Sequence, residues 1–362
     1  MKRWILPPAA LVLAAFLSGC SDDHPGVLRP TGASRSYRMG FSPFPPRPDL
    51  NLVLVTINIW SQRADAALIL TEPPWDSLLA GRSPDSLIRN NQLGLANYMR
   101  ARGLRIVVSV DPTNGLNRAQ ESAALVAAGR SLSEPAVQAL YRDYVTAMDT
   151  IIHPDYLGIA SETNLIRAIA PASVYNAVVA AAGAAATSIE VVDSTVIVYT
   201  TVQVETAWGK LAGPGGAYVG IAQDLADFGF DRALGLSSYP YLGGFSDPDS
   251  VPLDYYARLQ LGNPTPRPML VIEGGWSSVP IGAATASSPQ MQSRYIVRHA
   301  AIQDSAKTVA WFQITFTDID ESAYGFPPGA LTPFASLGLV DVNFVPKAAL
   351  PTWDAIFRRP RR

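Results

Sequence analysis

Short apolar segments alternate with longer amphipathic segments from Tyr37 to near the end of the chain. Eight of the short segments have the length of a β-strand, and several are continuously apolar, as is typical of parallel strands buried on both faces. The predicted strands span residues 37–41, 65–70, 104–110, 156–160, 195–201, 233–237, 269–272 and 308–314. The pattern therefore predicts a sheet of eight mostly parallel strands.

The segments between these strands carry helix signals. Ser83-Pro84 and Ser288-Pro289 each place a capping residue before a proline, and Gly103 ends the helix that begins at Pro84. Further helices are predicted over residues 135–152, 171–189 and 291–305. Strands that alternate with helices indicate an α/β fold, and eight such units in about 320 residues favour a closed barrel over an open sheet.

The fold class predicted is thus a single (β/α)8 TIM barrel over residues 37–357, with a short basic tail over 358–362. No glycine-rich phosphate loop follows the first strand, which argues against the alternative of a dinucleotide-binding sheet. No internal linker or short repeat divides the chain. We expect one domain and a monomer.

The first twenty residues predict an export signal. Lys2 and Arg3 precede an apolar run over residues 4–17, which is too short for a stable membrane span. The following Leu17-Ser18-Gly19-Cys20 resembles a bacterial lipobox. That resemblance implies a lipoprotein signal peptide over residues 1–19, lipidation of Cys20 and a tether over 20–36. Because Ser21 follows the cysteine, we expect an anchor in the outer membrane; an ordinary signal peptide is the alternative.

Composition excludes several classes of function. The chain has 362 residues, 48% hydrophobic and 16% charged, and its 28 basic and 30 acidic residues leave a net charge of −2. That balance offers no general attraction for nucleic acid. A single cysteine excludes a disulfide framework, and three histidines argue against histidine-rich metal chemistry. We therefore expect no metal and no cofactor.

Two glutamates directly terminate predicted strands. Glu162 follows the fourth strand and Glu273 the seventh. In a barrel of this class, chemistry lies where strands end, so both side chains are expected at one mouth. Hydrolysis of a glycosidic bond needs two carboxyl groups, one protonated and one ionised. The alternative is that each glutamate only caps a helix or pairs with an arginine.

On these residues the chain resembles the retaining glycoside hydrolases of clan A, from Tyr37 to about Phe357. The resemblance implies that Glu162 is the acid/base and Glu273 the nucleophile. It also implies that Tyr239 hydrogen-bonds the nucleophile and that Trp311 forms a platform for the sugar. The expected substrate is a poly- or oligosaccharide.

One residue departs from the pattern of that clan. Ser161 stands where the clan has an asparagine that contacts the sugar, and Asn164 is a candidate to replace it. The departure supports a second hypothesis, a carbohydrate-binding lipoprotein on a barrel scaffold that has lost catalysis.

Further side chains after strand ends are candidates for substrate binding. Aromatic rings stack on the apolar faces of sugars, which makes Trp75, Trp208 and Trp276 candidates. Asp111 is expected to bind substrate hydroxyls or to pair with an arginine. A third hypothesis is a hydrolase of another type that uses Asp111 or Glu205.

Overall fold

Eight parallel strands close into a barrel in the computed structural model, which describes residues 34–212, 216–282 and 285–362. Each strand pairs with the next one in sequence, and the last pairs with the first. The strands are β1 (Arg38–Phe41), β2 (Ala66–Thr71), β3 (Arg105–Val110), β4 (Tyr156–Gly158), β5 (Ile197–Gln203), β6 (Ala233–Ser238), β7 (Met269–Gly274) and β8 (Ala310–Gln313). The predicted (β/α)8 barrel is confirmed.

All eight predicted strands are present, with ends that shift by a few residues. The shortest is β4, although the Ile159 N–H still donates to the Tyr199 carbonyl at 3.0 Å and the Thr201 N–H to the Ala160 carbonyl at 3.0 Å. The pairing of the fourth strand therefore continues to Ala160, one residue before Ser161. This places Glu162 at the mouth of the barrel.

Twelve α-helices surround the strands in the described part of the chain. They are α1 (Leu50–Trp60), α2 (Trp75–Leu79), α3 (Pro84–Asn91), α4 (Leu93–Arg100), α5 (Ala123–Ala127), α6 (Pro135–Ile152), α7 (Thr163–Ile169), α8 (Ala172–Val192), α9 (Val204–Ala207), α10 (Ala222–Asp227), α11 (Pro289–Ala306) and α12 (Ala349–Phe357). Short 3-10 turns cover Ser61–Arg63, Pro248–Ser250, Ala257–Gln260 and Glu321–Ala323.

The predicted helix over residues 135–152 is confirmed as α6, whereas the one starting at Pro84 divides into α3 and α4 at Gln92. Helix α1 has no counterpart in the sequence prediction. The Asp49 side chain begins it by accepting hydrogen bonds from the backbone N–H groups of Asn51 and Leu52. Among the described helices, α8 has the length and apolarity to cross a membrane, but it packs against α6.

Buried side chains fill the barrel interior. Tyr199 of β5 lies across it, and its hydroxyl donates to the Val108 carbonyl at 3.0 Å. A Cβ on Gly158 would lie 2.6 Å from the Tyr199 ring, and a Cβ on Gly235 would lie 2.8 Å from it. Glycine is needed at both positions because only it leaves room for the ring. Chemistry is therefore confined to an end of the barrel.

A second apolar layer lies between the strands and the helices. Trp311 of β8 belongs to it, with its ring centroid 4.7 Å from that of His299 on α11 and 4.8 Å from that of Trp353 on α12. Its side chain is completely buried. The expectation that Trp311 forms a sugar platform is therefore wrong: the ring faces the helices, while the next residue, Phe312, packs in the barrel interior.

The two ends of the described chain meet at the amino ends of the strands. Arg35 is buried and pairs with Asp65 at 2.6 Å, and its backbone N–H donates to the Pro360 carbonyl at 3.0 Å. Arg359 is buried as well and pairs with Asp304 at 2.8 Å. Arg35 therefore belongs to the fold, although we predicted it in the tether, and the basic tail is packed at least to Arg359. The predicted signal peptide and Cys20 lie outside the described residues.

Candidate active site

A cavity of about 260 Å³ opens at the carboxyl ends of the strands. Its polar wall comes from the ends of β2, β3, β4, β6 and β7 and from the loop after β3. The principal polar side chains are those of Glu72, Asp111, Arg118, Ser161, Tyr239 and Glu273. Three of the predicted site residues, Asp111, Tyr239 and Glu273, line this cavity. Glu162 is not one of the lining residues, although it contacts the lining residue Arg118.

Glu273 is one of the residues that line this cavity. The Tyr239 hydroxyl donates to Glu273 Oε2 at 3.3 Å. Burial and the negative charge of Glu162 raise the pKa of Glu273 to about 7, against the opposing charge of Arg118 and the hydrogen bond from Tyr239. Burial and the charge of Glu273 raise the pKa of Tyr239 well above its usual value. Tyr239 therefore keeps its proton and remains a donor.

Glu162 lies at the start of α7 in an uncommon backbone conformation. Its φ and ψ are 48° and 45°, in the left-handed region that disfavours residues with a Cβ. Its backbone N–H donates to Thr201 Oγ1 at 2.7 Å. Its side chain is buried, and Oε2 accepts from Arg118 Nε at 2.8 Å. The turn that aims this carboxylate is fixed by a neighbouring strand.

Arg118 is the functional-site residue that sequence reasoning missed. It lies on the loop after β3, is buried, and pairs with both Asp111 and Glu162. Burial alone would lower its pKa, but the two carboxylates outweigh burial and raise it. Of the two expectations for Asp111, the pairing with an arginine is confirmed. The loop carries no periodic signal that would have singled out Arg118.

The cavity holds more negative than positive side chains. Glu72 lies at its rim, where burial and the charge of Asp111 raise the pKa of the Glu72 carboxyl. Arg118 is the one cation among the residues that line it. Together with Asp111 and Glu273, the acidic wall favours protonation of at least one carboxyl group.

Glu205 is buried next to this site but does not line the cavity. Its carboxylate accepts from the Tyr239 backbone N–H at 3.0 Å, from Ser238 Oγ at 2.9 Å and from the Tyr255 hydroxyl at 3.0 Å. Burial raises its pKa, and these hydrogen bonds oppose the rise. Glu205 has no exposed surface and therefore cannot reach a substrate in this conformation. It is a structural acceptor, which also bonds the side-chain amide of Gln203 at 2.5 Å.

The predicted tryptophan contacts are not brought to the cavity. Trp75 is buried on α2 and stacks on Tyr141 with centroids 6.3 Å apart. Trp208 stacks on Tyr255 at 4.8 Å and donates from Nε1 to the Tyr255 carbonyl at 3.0 Å. Trp276 is completely buried. Like Trp311, these rings pack behind the strand ends, where large apolar side chains are removed from water.

Asn164 is also a structural residue in this conformation. Its side-chain amide donates to the Gln203 carbonyl at 2.8 Å and accepts from the Gln203 N–H at 2.7 Å. It thereby ties the first turn of α7 to the end of β5 and does not line the cavity. The expectation that it replaces the missing asparagine at Ser161 is not supported.

An apolar wall faces the carboxylates and was not foreseen from the sequence. It is formed by β2 and by the loops after β1, β3 and β8. The side chains are Phe44, Leu70, Leu116, Ile314, Ile319, Phe326, Leu331 and Phe334. Phe334 packs edge-on against Tyr239 with centroids 5.1 Å apart. The apolar surface of the site is therefore made by phenylalanine and aliphatic residues.

Within the described ranges, no group of three or more histidine, cysteine, aspartate or glutamate side chains could hold a metal ion. His299 is buried on α11, and burial lowers its pKa to about 3. It is therefore neutral at ordinary pH, and it packs beside Trp311 as part of the core.

The fold and the strand-end glutamates define a (β/α)8 barrel protein with a carboxylate site at the carboxyl ends of its strands. No family model matches the sequence, and no curated protein matches it. Solved structures of similar fold include several glycoside hydrolases of low sequence identity.

One is the exo-β-1,4-mannosidase of Opitutaceae bacterium strain TAV5, with a TM-score of 0.61 and 15% identity over 92% of this chain. The chain spans 61% of that mannosidase. The GH53 catalytic domain of Ignisphaera aggregans has a TM-score of 0.60 and 16% identity, and the match covers 93% of this chain and 97% of the domain. GH5_18 of Streptomyces cattleya, in complex with GlcNAc, has a TM-score of 0.61 and 15% identity, covering 91% and 83%.

Proposed function

We propose that the protein is a retaining glycoside hydrolase that cleaves a poly- or oligosaccharide by double displacement. The observation that carries the proposal is the pair of carboxylates at the strand ends, with Glu273 in the cavity and under the hydroxyl of Tyr239. Glu162 raises the pKa of Glu273 through its charge, so the two carboxyl groups interact. The glycoside hydrolases that share the fold support the class of reaction.

In the first step, Glu162 gives its proton to the glycosidic oxygen while a Glu273 oxygen attacks the anomeric carbon. The carbon–oxygen bond to the leaving group breaks, and a glycosyl ester forms on Glu273. In the second step, Glu162 takes a proton from water, the water oxygen attacks the anomeric carbon, and Glu273 leaves as a carboxylate. Glu162 is then protonated again.

The protonation state of Glu273 sets the low-pH side of this activity. The nucleophile must be ionised, and the pKa of Glu273 is about 7 because of burial and the charge of Glu162. Activity is therefore expected to rise with pH through about 7.

A polysaccharide panel tests the proposal. The chain from residue 21 onward is incubated with each polysaccharide, beside Glu273→Gln and the control Glu190→Gln, an exposed glutamate on α8. We expect turnover by the parent and the control and none by Glu273→Gln. Absence of turnover on every glycan, with binding retained by both parent and variant, would instead support the non-catalytic carbohydrate-binding protein.

Azide rescue separates the roles of the two glutamates. With Glu273→Ala, azide takes the place of the nucleophile, and the product is a glycosyl azide of inverted configuration. With Glu162→Ala, azide attacks the glycosyl ester and gives a product of retained configuration. Swapped configurations would reverse the assignment, and full activity in either variant would remove that residue from the mechanism.

We further propose that the chain is a lipoprotein of the outer membrane, anchored by lipids on Cys20 and acting as a monomer. The lipobox-like residues 17–20 support this. A single acyl chain binds membranes only marginally, so stable anchoring needs more than one chain on the cysteine. Cys20→Ala is expected to leave the membrane fraction or to stay unprocessed; the same processing and fractionation as the parent would contradict the anchor.

A further inference from the structure

The guanidinium of Arg118 bonds the carboxylates of both Glu162 and Asp111 beside the cavity. Its Nε donates to Glu162 Oε2 at 2.8 Å, and its Nη1 pairs with Asp111 Oδ2 and lies 3.2 Å from Thr113 Oγ1. Its side chain is 6% exposed, so these contacts are shielded from water. Shielding makes a charge-assisted hydrogen bond both stronger and more directional than one at the surface.

The loop that carries Arg118 is ordered by its own hydrogen bonds. Asp111 Oδ1 accepts from the Thr113 N–H at 2.9 Å and from Thr113 Oγ1 at 2.8 Å. Asn114 Oδ1 accepts from two backbone N–H groups of the next turn, each at 3.0 Å. Thr113 also forms a β-bridge with Glu121. The guanidinium is therefore placed by the loop and not by the substrate.

Arg118 makes the two oxygens of Glu162 unequal. Oε2 is occupied by the arginine, and an arginine N–H is accepted by a carboxylate oxygen and, more weakly, by the carbonyl oxygen of a protonated carboxyl group. The pair can thus persist through both steps of the reaction. The proton then resides on Oε1, which makes no hydrogen bond within the described part of the chain.

We propose that Arg118, held by Asp111, is a positioning residue that fixes Oε1 of Glu162 as the oxygen that gives and takes the proton. This inference rests on the function proposed above. The geometry assigns no direct contact between Arg118 and the reacting bond, so its effect passes through Glu162. A purely structural ion pair would instead affect stability alone.

Leaving-group dependence distinguishes positioning from structure. Arg118→Met, Arg118→Lys and Glu162→Ala are compared on a phenyl glycoside, which needs the acid, and on a dinitrophenyl glycoside of the same sugar, which does not. For Arg118→Met we expect kcat/KM to fall about a hundredfold on the phenyl glycoside, within the range of general acid catalysis, and only slightly on the other. Arg118→Lys keeps the charge and should fall between the parent and Arg118→Met.

The effect must disappear when Glu162 is absent. In a Glu162→Ala background, adding Arg118→Met should leave the ratio of the two kcat/KM values unchanged, because the two residues act as one unit. All of these values are measured at a pH high enough for Glu273 to be ionised in every variant. Under that condition, equal losses on both substrates, or a change in the ratio in the Glu162→Ala background, would overturn the positioning role. Thermal unfolding of each variant shows whether it is folded. If Arg118→Met does not fold, the two substrates are compared with Arg118→Lys instead.

The pKa of Glu273 gives a second readout. Arg118 lowers the pKa of Glu273, so Arg118→Met should raise that pKa above about 7 in a carboxyl-carbon NMR titration. A parent chain that hydrolyses neither glycoside would overturn the proposed function and the positioning role with it. An unchanged titration of Glu273 in an active enzyme would overturn the placement of Arg118 alone.

Discussion

Tyr239→Phe removes one oxygen atom and leaves the ring in place. The hydroxyl donates to Glu273 Oε2 and favours the ionised carboxylate. The ring itself is held by Phe334 and by the backbone bond to Glu205, neither of which involves the hydroxyl. The substitution therefore tests how one hydrogen bond controls the charge of the proposed nucleophile.

The magnitude follows from the length of this hydrogen bond. A hydrogen bond to a charged group contributes about 1.5–3 kcal/mol. At 3.3 Å the bond is longer than a strong O–H···O⁻ contact, so the lower value applies. One pKa unit corresponds to about 1.36 kcal/mol, so the pKa of Glu273 should rise by about one unit. Because the ionised form is the active one, the low-pH limb of kcat/KM moves to higher pH, and activity below neutral pH falls about tenfold.

The assay is the pH dependence of kcat/KM for the parent, Tyr239→Phe and the matched control Tyr241→Phe. Tyr241 is a buried neighbour whose hydroxyl donates to the Pro333 carbonyl at 2.7 Å and to no carboxylate. In the control, the low-pH limb of the kcat/KM profile should lie at the same pH as in the parent. A limb that stays in place in Tyr239→Phe would refute the assignment of this hydrogen bond to the charge of Glu273.

Three substitutions test the packing around the site. Glu205→Ala leaves four buried donors, on Gln203, Ser238, Tyr239 and Tyr255, without an acceptor. It should lower the free energy of unfolding by at least about 4 kcal/mol, measured in urea. Trp311→Ala should lower the free energy of unfolding by about 3–5 kcal/mol in the same assay and leave KM unchanged. A rise in KM without loss of stability would instead support the expectation that Trp311 binds the sugar. Gly158→Ala should cost about 1–3 kcal/mol because its Cβ meets Tyr199; an unchanged melting temperature would contradict the packing of the barrel interior.

The sequence was most informative where the strand pattern and the topology act together. Buried parallel strands are continuous apolar runs, and their carboxyl ends must share one face, so a glutamate that directly follows such a run is placed at that face. Glu162 and Glu273 were found in this way. The same continuity hides which residue of a run points inward, because both faces are apolar. Trp311 and Phe312 are neighbours that point to opposite layers, and no polar residue between them marks the difference.

Arg118 could not be found by this reasoning for a different reason. Its position depends on hydrogen bonds within an irregular loop, where Asp111 and Asn114 orient the backbone. Such hydrogen bonds depend on a few short polar side chains and produce no periodic pattern of apolar and polar residues in the sequence. A contact seven residues along a loop is visible only in three dimensions.

The left-handed backbone at Glu162 favours glycine for stability, whereas the proposed reaction requires a carboxyl group at this position. That conformation costs a residue with a Cβ about 1–2 kcal/mol, and glycine would adopt it freely. Glycine, however, has no carboxyl group. In a lineage that no longer needed the proposed turnover, replacement of Glu162 by glycine would remove the proposed proton donor and relieve the backbone at once. The residue at this position in related sequences therefore tests whether the proposed catalysis has been under selection.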